Sequence, residues 1–314
     1  MSNTGKDDAF ATQLEQDSID AMLGEDGAPY NLSHPATWRA PLIFASPHSG
    51  AVYPDSFIAR AACELLTLRM NEDAYIDQLF SAATQMGAPL LSARFPRCFV
   101  DVNRAPDELP AAWVKAEELQ AQPTARAKAG FGVIPLMIAQ NTPIYHDAPP
   151  RDAALMRIKR LYNPYHRALS ELIADCVDRF GRAVVIDCHS MPGFATLGAR
   201  RADIVLGDRF GLSCHGDTLQ TVETAFVNVG YSVVRNTPYA GGFVTTHYGR
   251  SAQDPQRVVE TLQIEINRDL YLNPVTLKRK QRHYEKLAEN LEDVMWQIIE
   301  GFGEGLASEK YAAE

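Results

Sequence analysis

The chain reads as an α/β protein, and three observations carry that reading. Short apolar runs alternate with segments of helical periodicity along 314 residues. Two of those runs end alike: Val184-Val185-Ile186-Asp187-Cys188-His189-Ser190 and Pro41-Leu42-Ile43-Phe44-Ala45-Ser46-Pro47-His48-Ser49-Gly50 both deliver His-Ser. Open α/β sheets bind ligands beyond the carboxyl ends of their strands. Polar, metal-capable residues at that edge therefore point to chemistry rather than packing.

Residues 1 to 37 are polar and acidic, with one helix-like patch from Phe10 to Met22. They are expected to form an N-terminal arm, partly ordered at best. Residues 38–314 are expected to form a single catalytic domain. Strand-like runs fall at 41–46, 88–92, 98–102, 183–188, 203–206, 231–235, 243–246 and 262–266. Helical periodicity falls at 56–68, 73–86, 153–180, 216–229, 255–261 and 275–301. Strands alternating with helices imply a sheet with helices on both faces. Residues 105–151, rich in Pro and Ala, break the alternation as an irregular excursion. Loops of that length are usually lids or binding segments.

A formal charge of −9 provides no basic field for nucleic acid or an anionic membrane, so neither is expected as a partner. It leaves open a small anionic ligand met by local arginines. No apolar stretch approaches the roughly 20 residues that span a bilayer, and residues 1–8 lack the apolar core of a signal peptide. Five scattered cysteines with no CxxC pair fit a reduced, cytoplasmic protein rather than a disulfide scaffold or a cysteine zinc site. The phosphate-loop, dinucleotide and GxSxG patterns are absent.

His48 and His189 are candidate metal ligands, because neutral imidazole is a common zinc ligand and a hydrolytic zinc keeps three protein ligands and one water. Each alone is better explained as a cap or a satisfied buried histidine; the pair at matching strand ends favours the metal. The third ligand should be a carboxylate or another histidine. Asp73 opens a helical segment, where Asp is most often an N-cap; Glu72 and Asp77 compete with it. Phe99-Val100-Asp101-Val102-Asn103-Arg104 reads as a further strand ending in polar groups. Arg104 there either grips a substrate carboxylate, bidentately, or makes a surface ion pair. Asn103 can donate from its amide. In Leu262-Gln263-Ile264-Glu265-Ile266-Asn267 the polar residues share one face. Glu265 is then a general base beside activated water, or a solvent-facing residue of an edge strand. Gly241 and Gly242 permit close backbone approach to a ligand or simply form a turn before a β-like run ending at His247.

Together these segments resemble the N-formylglutamate amidohydrolase family. The matching pieces are Ser46 to Gly50, Asp73, Phe99 to Arg104, Pro164-Tyr165-His166, Asp187 to Ser190, Gly241-Gly242-Phe243 with His247-Tyr248-Gly249, and Gln263-Ile264-Glu265. They run in order from about residue 40 to 272. The resemblance implies a three-layer αβα fold with a mixed central sheet and a zinc-carboxypeptidase-like (phosphorylase/hydrolase-like) core. It implies one Zn2+ per chain held by His48, Asp73 and His189, Asn103 and Arg104 as a carboxylate clamp, and Glu265 as the base. Carboxypeptidases carry their ligand Glu three residues after the first His; here that position is Ala51, which is why the carboxylate is sought at Asp73. Asp187 would support a ligand histidine, Gly241 and Gly242 would line the pocket, and His247 would donate to the transition state.

The implied reaction is hydrolysis of N-formyl-L-glutamate to formate and L-glutamate, a late step in some histidine-degradation routes. The implied partner is thus a small anionic N-acyl amino acid, acted on by a monomer or small homo-oligomer. A second carboxylate on that substrate needs a second cation, with Arg97, Arg200, Arg201 and Arg250 as candidates. The alternatives are a related zinc hydrolase acting on another N-acyl amino acid or a peptide, and a catalytically silent carboxylate-binding protein on the same fold.

Overall fold

The computed structural model describes residues 4–25, 27–110, 113, 124–193, 201–249 and 258–312. In chain order the first elements are α1 (Thr4–Leu23), β1 (Tyr30–Ser33), β2 (Leu42–Ser46), α2 (Asp55–Ala59), α3 (Leu65–Arg69), α4 (Ile76–Leu79), α5 (Ala83–Met86) and β3 (Leu90–Ala93). The middle of the chain holds α6 (Ala125–Lys128), β4 (Met137–Ala139), β5 (Thr142–Pro143), α7 (Arg151–Arg157) and α8 (Asn163–Phe180). There follow β6 (Ala183–Met191), β7 (Ile204–Gly207), α9 (Gly216–Asn228), β8 (Val233–Arg235), α10 (Phe243–His247), β9 (Val259–Asn267) and α11 (Gln281–Ala312). The chain divides into two compact units. Met1–Asn31, His48–Glu72 and Ala93–Ala168 make the first; Leu32–Pro47, Asp73–Ser92 and Leu169–Glu314 make the second.

The second unit is built on a seven-stranded sheet of order β1-β3-β2-β6-β9-β7-β8. Neighbours from β3 through β9 are parallel, β7 runs antiparallel to β9, and β8 is parallel to β7. The sheet is therefore mixed, and the fold class is α/β as expected. β6 and β9 are long and central, and almost every residue in them is buried. Strands covered on both faces are read from sequence as near-continuous apolar runs. Side chains alternate across a strand, so one face of this pair carries Val184, Ile186, Cys188, Leu262, Ile264 and Ile266. These pack with Ile76, Leu79, Leu219, Val222, Leu291 and Val294 of α4, α9 and α11 in one apolar core. The opposite face carries Asp187 and His189 with their register partners Gln263 and Glu265.

The first unit is organised around a buried ion pair. Arg157 of α7 is fully buried, and its Nε donates to Glu15 Oε1 of α1 at 2.5 Å. Its Nη1 donates to Tyr145 Oη at 2.7 Å and reaches the Phe99 carbonyl at 3.4 Å, with the guanidinium 3.9 Å from the Phe99 ring centre. Residues 4–23, placed in a loose arm by their polarity, thus form a helix whose Glu15, Ile19, Met22 and Leu23 are buried.

Several local expectations are corrected. Residues 98–102 are not a strand: Asn103 N–H donates to Asp101 Oδ1 and Arg104 N–H to the Asp101 carbonyl, so Asp101 folds the segment into a turn. Residues 243–246 are not a strand either. Gly241, at φ +139°, turns the chain so that Thr245 and Thr246 hydroxyls donate back to the Gly242 carbonyl, closing the turn of α10. The strand β9 begins at Val259, inside the helix expected over 255–261; residues 255–257 lie outside the described ones. The helix expected over 56–68 is split into α2 and α3, and that over 73–86 into α4 and α5. The long helix over 153–180 holds, with a π turn at Ile158–Tyr162. Pro164 has no N–H to offer the carbonyl one turn back, which leaves the ladder free to widen there.

Removing one partner of a fully buried pair strands the other charge, at a cost of about 3–5 kcal/mol. Glu15→Ala should lower unfolding stability by about that amount, measured by urea denaturation, with Glu15→Gln intermediate. A loss no larger than an exposed ion pair gives, below about 1 kcal/mol, would remove α1 from the structural core.

Candidate active site

The sheet-based unit gathers ionisable groups at the carboxyl ends of β6 and β9. His189 is 3 % exposed and lies between two carboxylates. Its Nε2 is 3.0 Å from Asp187 Oδ2, and its Nδ1 is 2.9 Å from Asp73 Oδ2. Burial works against charging this imidazole, but Asp187 and Asp73 override it and hold its pKa well above the ordinary value. Asp187 and His189 point the same way because they are two residues apart on one strand.

Asp73 does not cap the helix it precedes. The residue at the N-cap of α4 is Tyr75, which caps with no side-chain bond and sits in the left-handed region at φ 67°. The Asp73 carboxylate instead accepts from Ser190 Oγ at 2.9 Å and from Arg268 Nη2 at 2.9 Å, beside its contact with His189. Arg268 Nε also donates to Ser190 Oγ at 2.9 Å. The sequence marks Ser190 as part of the repeated His-Ser ending but does not mark Arg268. A guanidinium 195 positions away leaves no local signal, although its place just past β9 is the kind of strand end that deserved weight.

Glu265 lies on β9 in register with His189 on β6 and Val205 on β7. It is 6 % exposed and accepts from Gln263 Nε2 at 2.7 Å. A central position rules out the solvent-facing edge-strand reading. A carboxylate buried on a central strand is costly unless it has a purpose and a partner. Gly241 is positioned before α10, where a side chain would collide with Thr245 Oγ1. His247 ends α10, exposed, with its ring stacked on Phe243 at 4.8 Å.

The other unit supplies a second imidazole–carboxylate pair. His48 stands two residues beyond β2, and its Nε2 is 2.7 Å from Asp101 Oδ1. Gly50 follows closely because a side chain there would strike the Phe95 carbonyl. Asp101 is buried, which alone would raise its pKa, yet Arg97, His48 and Arg104 hold it well below the usual carboxylate range. Arg97 Nη2 donates to Asp101 Oδ2 at 2.9 Å. Asp101 was passed over in the sequence as part of a strand. Its chemistry is legible only once the turn places it against a histidine 53 positions earlier.

Arg104 is held by its own backbone surroundings. Its Nε donates to the Phe131 carbonyl at 3.1 Å and its Nη1 to the Asn103 carbonyl at 3.0 Å. Among the described residues Nη2 has no partner, so Arg104 presents the tip of its guanidinium rather than its two-pronged side. The turn bearing Asn103 and Arg104 is braced by Tyr162, whose hydroxyl donates to the Arg104 carbonyl at 2.9 Å. His166 braces it too, with Nε2 2.9 Å from the Val102 carbonyl. Glu72, a rival ligand in the sequence, is consumed by Tyr53 at 2.8 Å and by Arg69 at 3.0 Å.

Among the described residues, His48, Asp73 and His189 form a group that could hold a metal ion, all three buried. The donor chemistry fits one. Each histidine has a carboxylate at Nε2, the arrangement that orients the ring of ligating histidines, and His189 Nδ1 also faces Asp73. Two imidazole nitrogens and a carboxylate oxygen are a common hydrolytic donor set for zinc.

Residues 40–272 match the N-formylglutamate amidohydrolase family. The N-formylglutamate deformylase of Pseudomonas aeruginosa is 28% identical over 240 residues, spanning 75% of this chain and 83% of that protein. That of Pseudomonas putida is 26% identical over 270 residues, spanning 83% and 92%. The crystal structure of N-formylglutamate amidohydrolase from Ralstonia eutropha superposes with a TM-score of 0.80 at 33% identity, covering 88% of this chain and 99% of that one.

The depressed Asp101 carboxyl contributes stability that is present above the unfolded value, about 3.9, and is lost as pH falls toward the folded value. Metal-free wild type should therefore exceed Asp101→Asn in denaturation midpoint near neutrality, and the gap should close as pH drops below about 4. A gap that stays constant to pH 3 would show that Asp101 is not held ionised by Arg97, His48 and Arg104.

Proposed function

The chain belongs to the N-formylglutamate amidohydrolase family, and from that premise we propose that it is a zinc-dependent hydrolase releasing formate from N-formyl-L-glutamate. The observation that carries the reading is the grouping of three buried donors, His48, Asp73 and His189, which could hold one metal ion. Two carboxylates, Asp73 and Asp187, converge on His189, and Glu265 lies in register with it on β9.

His48, Asp73 and His189 would hold the metal. Zinc bound by such donors lowers the pKa of water to about 7 and polarises an amide carbonyl. The remaining work belongs to side chains. Glu265 takes a proton from the attacking water at its carboxylate and returns it to the departing amine nitrogen, a general base and then a general acid. Gln263 donates to Glu265 Oε1 and so holds the base in place. Asp187 and Asp101 keep the two imidazoles oriented. Asn103 and the open Nη2 of Arg104 receive a carboxylate of the substrate and fix its amide for attack. Gly241 and Gly242 provide backbone at close approach, and His247 donates to the developing oxyanion.

The rest of the molecule agrees with a reducing, cytoplasmic setting. All five cysteines are free, and among the described residues no helix is long and apolar enough to cross a membrane.

The zinc-loaded enzyme should release formate and glutamate in equal amounts from N-formyl-L-glutamate, and chelator treatment should abolish turnover until zinc is restored. Glu265→Gln should cut kcat by about two to four orders of magnitude while metal content stays at one zinc per chain. Retained turnover in that variant would remove Glu265 from the proton transfer. Asp187→Asn should instead weaken zinc affinity by about 10- to 100-fold, read by competition with a zinc chelator. Unaltered affinity would reduce Asp187 to packing.

A further inference from the structure

A substrate with two carboxylates needs a second cationic contact, and the side chains sort the four sequence candidates. Arg97 is consumed by Asp101. Arg200 and Arg250 lie outside the described residues. Arg201 remains. It stands at the rim beyond β6 and β9: its N–H donates to the Gly193 carbonyl at 3.0 Å, just past β6. Its own carbonyl and that of Ala202 accept from Asn267 Nδ2 at 3.5 and 3.1 Å. Asn267 is two residues after Glu265 on β9, so it shares Glu265's face of the strand. Arg201 is thus anchored to the strand face that carries the base.

The guanidinium itself is half-used in an informative way. Nη1 donates to the Pro192 carbonyl at 3.1 Å and to Tyr239 Oη at 3.0 Å, and the Tyr239 ring centre lies 5.3 Å from the guanidinium carbon. Both bonds are spent on the same nitrogen. Nε is buried with no partner, and among the described residues Nη2 has none. Nε and Nη2 are the side-on edge of arginine, the pair of parallel N–H groups that matches a carboxylate. Tyr239 belongs to the loop that runs straight into Gly241 and Gly242, and its ring stiffens the arginine by a cation–π contact. Arg209, another arginine off β7, follows the opposite end of that strand, past Gly207, which pairs with Gln263. Arg201 precedes the end of β7 that lies alongside the carboxyl end of β9.

We propose that the Nε–Nη2 edge of Arg201, backed by Tyr239, binds the side-chain carboxylate of the substrate and so selects acidic N-formyl amino acids. This rests on the N-formylglutamate amidohydrolase reading above. It gives the paired Nε and Nη2 of Arg201, which have no partner among the described residues, a carboxylate to bind.

The test compares N-formyl-L-glutamate with N-formyl-L-glutamine, which differs by a neutral carboxamide, on the zinc-loaded full chain. Arg201→Met should raise KM for N-formyl-L-glutamate about tenfold or more, with kcat little changed, and leave the kinetics on N-formyl-L-glutamine unaltered. Arg201→Lys should restore charge but not the paired N–H groups, giving a KM between wild type and Arg201→Met. Equal losses on both substrates, or no change on either, would overturn the assignment of Arg201. A wild-type enzyme that releases no formate from N-formyl-L-glutamate, while hydrolysing another N-formyl amino acid, overturns instead the activity on which the assignment rests. A thermal midpoint matching wild type separates either result from misfolding.

Discussion

Everything at this site depends on burying carboxylates beside imidazoles without leaving either uncompensated. Asp187 is fully buried, and a carboxylate so placed is costly without a partner. His189 is that partner, through Nε2. The same requirement then passes along the cluster: His189 meets Asp73, Asp73 meets Arg268 and Ser190, and Arg268 bonds Ser190 as well. In the other unit the chain runs from His48 to Asp101 to Arg97. Each histidine is thereby held in one orientation by a carboxylate. Pairing of this kind positions the imidazoles, while the apolar face of β6 and β9 supplies the stability.

The fold explains why these groups can be held so deep. On β6 and β9 the pleat sends Val184, Ile186, Cys188, Leu262, Ile264 and Ile266 to one side, where they pack with α4, α9 and α11. Parallel pairing in register places Asp187 beside Gln263 and His189 beside Glu265 on the other. A one-residue slip would exchange the two sets and drive four polar side chains into the apolar core. Registry is therefore enforced by the hydrophobic face, and the site inherits its precision from that constraint. Cys188, adjacent to a metal-site histidine in sequence, lies on the apolar side, and burial raises its thiol pKa well above the ordinary range. It packs and does not react.

What could be read from the sequence follows from how local each signal is. β6 is legible as a short apolar run and β9 by its period-two alternation, signals carried by six or seven consecutive residues. The pairing of His48 with His189 as a repeated strand-end motif was legible for the same reason. Segments whose conformation is set by side-chain-to-backbone bonds were misread. Phe99 to Val102 has the composition of a strand, but Asp101 turns the chain; Val244 to Thr246 is β-branched, but the hydroxyls of Thr245 and Thr246 close a helical turn on Gly242. Asp101 and Arg268 escaped notice because each works on a partner far away in the chain. The carboxylate behind His48, the guanidinium on Asp73 and the open edge of Arg201 are properties of tertiary placement, which no periodicity encodes.

Asp73 shows how far the fold goes to serve this arrangement. An Asp just ahead of a helix ordinarily caps it, a bond worth about 1 kcal/mol. Here that contribution is forgone, and Tyr75 is forced to φ 67°, a left-handed conformation costing a bulky residue on the order of 1–3 kcal/mol. The strain is held in place from several directions. Tyr271 donates its hydroxyl to the Ala74 carbonyl at 2.9 Å, and Arg279 lies 4.1 Å from the Tyr75 ring centre. Tyr284 packs edge-on against the Tyr75 ring. The same two residues that would have closed a conventional helix start are thus spent on aiming one carboxylate at His189, Ser190 and Arg268. A helix of four residues gains little from a cap, whereas a misdirected Asp73 would leave a guanidinium and an imidazole facing each other unscreened. The larger electrostatic requirement sets the backbone, and the strained turn is its consequence.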